Sequence, residues 1–186
     1  MIYIRKMGQK TRLYAGHHKV AEWERWQDQW ELIDGVPYCM SPAPSSLHQR
    51  ISVQIVTELQ IEFRKRNCDK CKVYIPIDWQ ISDDTVVQPD VLIVCKPISG
   101  IRLMEPPAVI FEILSPSTRQ KDQTSKFDLY QEQKVAYYIM VDPETETYEV
   151  YDLDSSGHYQ RQEFDHIFTF RLDGCEVELD FRLIWD

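Results

Sequence analysis

Two stretches decide how this chain folds: Val86-Val87-Gln88-Pro89-Asp90-Val91-Leu92-Ile93-Val94 and Ala108-Val109-Ile110-Phe111-Glu112-Ile113-Leu114. Each is a strand-length run of apolar residues holding one acid, Asp90 or Glu112. The second is apolar on both sides of its acid, the pattern of a strand buried on both faces. A carboxylate in such a run is stripped of water. Left uncompensated it costs several kcal/mol or more, so it is paired or it binds a metal. Two such acids on neighbouring strands, with lysines a short helix downstream, point to a metal-dependent hydrolytic site.

Working outward, Ser115-Pro116-Ser117-Thr118 ends the Glu112 strand. Helical spacing then runs from Asp122 to Gln133, placing Asp122, Lys126 and Tyr130 on nearly one face. Ala136 to Val141 is a further buried strand, stopped by Asp142-Pro143. Tyr148 to Leu153 and Tyr159 to Phe164 form a hairpin about Ser155-Ser156-Gly157, and the tail alternates through Glu176 to Leu179. Upstream, Thr85 to Cys95 reads as one strand and Val73 to Ile81 as another, joined at Ser82-Asp83-Asp84, with a loop from Lys96 to Pro107. A helix carries Ile51, Ile55, Val56, Leu59 and Phe63 on one side and ends near Asn67. Ser41 to Ser46 is the turn before it. Trp30 to Met40 is a hairpin with Asp34-Gly35 at its turn. Residues 17 to 29 place Val20, Trp23, Trp26 and Trp30 at helical spacing. The expected class is α/β, bordering on α+β. One central mixed sheet is flanked by helices, with extra N- and C-terminal hairpins, in a single domain over residues 1–186.

The composition bounds the function. With 186 residues, 43% hydrophobic and 12% aromatic, the chain can bury a sizeable core. Its apolar runs are strand-sized, so no membrane span is expected. The first twelve residues hold no apolar leader. The net charge of −9 argues against avid, non-specific binding of nucleic acid, though not against a local basic face. Arg64, Lys65 and Arg66, with Lys70 and Lys72, are the candidates, and a solvated helix end is the plainer reading of them. Five cysteines, an odd number with no leader, suggest reduced thiols in a cytoplasmic protein. Cys68-Asp69-Lys70-Cys71 is a lone CxxC without a second ligand pair, so zinc is not expected.

Phosphodiester hydrolysis needs a nucleophilic water and neutralisation of developing charge, which a hard divalent ion and a cation together supply. Magnesium takes oxygen ligands, typically one or two carboxylates with water and phosphate. Asp90 and Glu112 provide the carboxylates, the Ile113 carbonyl a third oxygen, and Lys126 or Lys121 the cation.

The stretches QPDVLIV, VIFEILSPSTRQKDQTSKFDLY and AYYIMVDPETETYEVYDL, preceded by WELIDGVPYCMSPAPSSLHQRI, resemble the Uma-type family of bacterial endonuclease-like proteins over about residues 20 to 183. The resemblance implies a restriction-endonuclease-like fold of the PD-(D/E)xK superfamily and cleavage of DNA with magnesium or manganese. It makes Pro89-Asp90 the PD element and Glu112 the second acid. Leu114 stands where the superfamily most often has lysine, and the resemblance implies that Lys126 takes that role from the following helix. Glu31 and His48 also match family positions, and Lys121 and Tyr130 are further candidates beside Lys126. Asp78 and Gln88 border the same region.

Each residue also has a plainer role: Asp90 a strand cap, Glu112 a core ion pair, Lys126 a solvated helix lysine, His48 a helix cap. The competing reading of the whole is therefore a catalytically silent module of the same fold, acting in protein interaction. A homodimer is expected under either reading, from the tryptophan-rich segment.

Overall fold

The computed structural model describes residues 16–40 and 44–186 fully, and Ile2–Lys6 (β1) and Gln9–Leu13 (β2) as an antiparallel backbone pair. The expected turn at Ser41, Pro42 and Ala43 lies outside the described residues.

The elements follow in order. A single helical turn, α1 (Val20–Trp23), precedes β3 (Trp30–Ile33) and β4 (Val36–Cys39). Next come α2 (Ser46–Lys65), β5 (Lys72–Tyr74), β6 (Trp79–Gln80), β7 (Val86–Val87), β8 (Val91–Val94) and β9 (Val109–Ile113). Two helices, α3 (Arg119–Gln123) and α4 (Ser125–Glu132), cross to β10 (Tyr137–Asp142). Then β11 (Thr147–Leu153) pairs with β12 (Tyr159–Arg161), and β13 (Ile167–Leu172) with β14 (Cys175–Asp180), before a 3-10 turn at Leu183–Trp185.

The central sheet has six strands in the order β12-β11-β10-β9-β8-β5. It is antiparallel except at β9–β10, where α3 and α4 make the crossover that a parallel pair requires. The expected mixed sheet between helices is therefore what the chain forms. A smaller sheet, β4-β3-β7-β6, stands beside it.

Alternation along β9 sets the two faces. Val109, Phe111 and Ile113 pack with Ile51, Ile55, Leu59 and Phe63 of α2. Ile110 and Leu114 lie with Leu129, Tyr130 and Tyr138 on the opposite face. Glu112 shares their parity, so its side chain is driven toward α4.

Four expectations need correcting. The Thr85–Cys95 run is two strands in two sheets, parted at Gln88-Pro89-Asp90, because proline has no N–H for a ladder. The Val73–Ile81 run likewise divides into β5 and β6 around Pro76. The helix expected over residues 17 to 29 is only α1, and its tryptophans instead fold onto β3: Trp30 is buried, and Trp23 and Trp26 are half-buried against Val20 and Leu32. The cysteines are not all thiols. Cys68 is bonded to Cys175 and Cys71 to Cys95, leaving Cys39 free. The β5–β8 register sets Cys71 opposite Cys95, and α2 delivers Cys68 to β14. Asp34-Gly35 is the expected tight turn, with φ of 49° and 73° at its two residues.

Candidate active site

The site lies where β8 and β9 begin and end, under the α3–α4 crossover. The register pairs Val91 with Phe111 and Leu92 with Ile110, so Asp90 stands opposite Glu112, one step beyond the last pair. The Oδ2 atom of Asp90 accepts a hydrogen bond from the Ile113 amide at 2.7 Å. The same oxygen lies 3.0 Å from Nε2 of His48. Ser45 caps α2 by accepting from the His48 amide, which fixes the histidine at the helix start.

Glu112 is buried and accepts at one oxygen, Oε1, from Lys126 at 2.9 Å and from Tyr130 at 2.8 Å. Lys126, itself 2% exposed, also reaches Glu31 Oε1 at 2.8 Å and lies 3.6 Å from Asp122 Oδ1. Glu31 is brought in by β3. Its Oε1 accepts from the Gln88 amide at 2.8 Å, and its Oε2 from Lys121. Gln88 in turn donates through its side chain to Asp78 at 2.8 Å. Lys121 stands over the Tyr38 ring at 5.8 Å. The helix that sequence spacing drew from Asp122 to Gln133 is broken at Thr124, yet Lys126 and Tyr130 still meet at Glu112, with Asp122 beside Lys126.

Electrostatics separate the carboxylates. Burial pushes the Glu112 carboxyl well above its ordinary pKa. Lys126 opposes this, while Asp122, Asp90 and Glu31 add to it. Burial acts the same way on Glu31, but Lys126 and Lys121 outweigh it and hold that group below its ordinary value. Asp122 is raised by burial, with Lys126 opposing, and its Oδ1 has no hydrogen-bond partner. Burial would lower Lys126, but Glu112, Glu31 and Asp122 reverse that and keep it charged. Tyr130 is raised by burial and then by Glu112, so it remains a proton donor. Among these three buried acids, Glu31 is the one held as an anion, while burial favours the neutral form of Asp122 and, further, of Glu112.

The sequence candidates thus divide. Glu31, Glu112, Lys121, Lys126 and Tyr130 join one network with Asp122. Asp90 and His48 form a second pair beside it, and Ile113 contacts Asp90 through its amide. Among the described residues no hydrogen bond or ion pair links Asp90 to Glu112, although the Asp90 charge helps to raise the Glu112 carboxyl. Sequence reasoning gave no contact for the Gln88 amide, whose only signal was its place before Pro89-Asp90. The basic cluster at Arg64, Lys65 and Arg66 sits at the far end of α2 from His48, roughly 25 Å along the helix. Lys65 and Arg66 are paired with Glu62, and Arg66 also with Glu178. That cluster is a helix end, as the plainer reading had it.

For a divalent ion, the donor set is two carboxylates on adjoining strands. Asp90 Oδ1 and Glu112 Oε2 have no hydrogen bond among the described residues, and magnesium completes a shell of this kind with water and phosphate. The set fits such an ion. It does not fit a metal held by side chains alone, since no group of three or more His, Cys, Asp or Glu among the described residues could hold one.

A mixed sheet with this crossover and paired acids at adjoining strand ends defines the class as restriction-endonuclease-like. A crystal structure described as that of a "putative nuclease belonging to DUF820" from Anabaena variabilis superposes with a TM-score of 0.72 at 15% identity, covering 90% of this chain and 97% of that one. The family model Uma2, described as "putative restriction endonuclease", matches residues 7–180, and the chain belongs to that family. No curated protein matches it. Among the described residues, no helix is long and apolar enough to cross a membrane.

Proposed function

We propose that the protein is an endonuclease that hydrolyses DNA phosphodiester bonds with magnesium or manganese, acting in the cytoplasm. The observation that carries this reading is the register of β8 and β9. It puts Asp90 opposite Glu112, and the crossover brings Lys126 to 2.9 Å from Glu112. Asp90 and Glu112, with the Ile113 carbonyl, would hold the ion, which supplies charge neutralisation at the phosphate and a more acidic water. Lys126 is the catalytic cation, donating to the water or to the developing negative charge. Lys121 neutralises Glu31 and, with its side chain 10% exposed, stands nearer the opening. His48 holds Asp90 and offers its ring toward phosphate. Tyr130 donates to Oε1 of Glu112, which would leave Oε2 for the ion.

Calorimetric titration with manganese tests the ion site. Wild type binds it. Asp90→Asn and Glu112→Gln each lose on the order of 10-fold or more in affinity, and Lys126→Ala keeps binding because an ammonium ligates nothing. Equal affinity in all four proteins contradicts the assignment.

A second reading, a silent module of the same fold, is favoured by one observation: Lys121 and Lys126 already satisfy Glu31 and Glu112 in the protein alone. The proposed homodimer no longer draws on the tryptophans, which pack within the chain. Val53, Ile61, Ile75, Ile101, Met104 and Ile167 are among the exposed apolar residues available for it. Light scattering at micromolar concentration should give twice the chain mass, and a monomer mass refutes it.

A further inference from the structure

The four bonded cysteines lie away from the nuclease site, where the end of α2 meets β5, β8 and β14. The two bridges share one CxxC: Cys68 is joined to Cys175 and Cys71 to Cys95. Cys68 and Cys71 are both buried in the α2 core cluster. Both also line a single cavity of about 300 Å³, together with Arg64 and Lys72. Cys175 is half-buried and lines a neighbouring cavity with Arg66, Arg171 and Glu176, Arg66 being paired with Glu62 and Glu178. Cations beside a sulfur favour its thiolate, the form that attacks and the form that leaves.

We propose that Cys68 and Cys71 are the exchanging pair of a thiol–disulfide site that takes a dithiol reductant. The reductant's thiolate attacks Cys175, the more open sulfur of its bridge. A mixed disulfide forms on Cys175, and Cys68 leaves as thiolate. The reductant's second thiol closes on its own bound sulfur, departs as a cyclic disulfide and releases Cys175 as a thiol. Two electrons have passed from the dithiol to the protein. Cys68 thiolate then attacks Cys71. The Cys68–Cys71 bond forms, the Cys71–Cys95 bond breaks, and Cys95 leaves and takes a proton. The first step frees the β13–β14 hairpin from α2, and the second frees β5 from the end of β8. A second equivalent of dithiol reduces Cys68–Cys71 itself. The CxxC closes a helix instead of opening one, so no helix N-terminus favours its thiolates; the cations available in the shared cavity are Arg64 and Lys72, with Asp69 opposing them.

The test uses the purified full chain, treated with one equivalent of dithiothreitol, quenched in acid, alkylated and mapped by mass spectrometry. The expected species carries a Cys68–Cys71 bond with Cys95 and Cys175 alkylated. In Cys68→Ser the Cys71–Cys95 bridge should open more slowly than in wild type, on the order of 10-fold or more, because an intramolecular thiol acts at an effective concentration in the millimolar range. Independent loss of the two bridges with no Cys68–Cys71 product overturns the proposal. So does an unchanged opening rate of Cys71–Cys95 in Cys68→Ser. It is equally overturned if oxidised glutathione forms no bridges in the reduced chain, or if that chain holds one zinc ion on its four thiolates.

Discussion

Glu31 and Glu112 touch the same ammonium and are shifted in opposite directions. Glu31 is favoured as an anion, held by two lysines and an amide. Glu112 is favoured neutral, because burial and three nearby acids outweigh Lys126. Glu31→Gln therefore strands Lys121 and should cost about 3 kcal/mol. Glu112→Gln should be neutral or stabilising at pH 7. The pH dependence follows. The lowered pKa of Glu31 contributes stability that is full above the ordinary carboxylate value and lost as pH falls through its folded value. The raised pKa of Glu112 does the reverse: stability declines as pH rises from the ordinary value through the folded one. Urea titrations of both variants at pH 5 and 7 check this, and equal losses in the two contradict it. Asp90, Glu112 and Lys126 were legible because each broke a pattern or matched a motif. The grip of Lys121 on Glu31 was not, since 90 residues separate them and no periodicity records which strand tip meets which helix.

At the scale of elements, α3 is a helix of five residues that carries Lys121 and Asp122 into the site. So short a helix is not stable alone. Its first residue, Arg119, clamps Asp142 at the end of β10 with two hydrogen bonds of 2.7 and 2.9 Å. The guanidinium holds the Asp142 carboxyl down to about 2, against burial. That stability is present above the ordinary value near 4 and is lost as pH falls toward 2. Asp142→Asn should cost about 2 kcal/mol at pH 7 and nearly nothing near pH 2. Thermal unfolding at both pH values measures it, and a cost that does not change with pH excludes the clamp. Element identity was largely readable from periodicity: α2, the β3–β4 turn, β9 and β10 fall where the spacing puts them. Boundaries were not readable where one apolar run serves two sheets. Val86–Val87 and Val91–Val94 look continuous, and only Pro89 marks the place where the chain passes from the small sheet to the large one.

At the scale of the molecule, the mixed sheet and its crossover followed from element order, because a parallel pair can be joined in few ways. The cysteine pairing did not. An odd count left five thiols as the simplest reading; the register that sets Cys71 against Cys95 and the packing of α2 on β14, which brings Cys68 to Cys175, show otherwise. The net charge of −9 belongs to the whole chain, whereas the site holds two lysines against its acids. Nicking of supercoiled plasmid DNA tests whether this cluster cuts phosphodiesters with a divalent ion, as proposed. Wild type with magnesium or manganese should convert supercoiled to open-circular DNA, and a chelator should stop it. Glu112→Gln and Lys126→Ala, both confirmed folded by circular dichroism, should be slower on the order of 100-fold or more. An absence of nicking by wild type with either ion, or nicking by Glu112→Gln at the wild-type rate, contradicts the account.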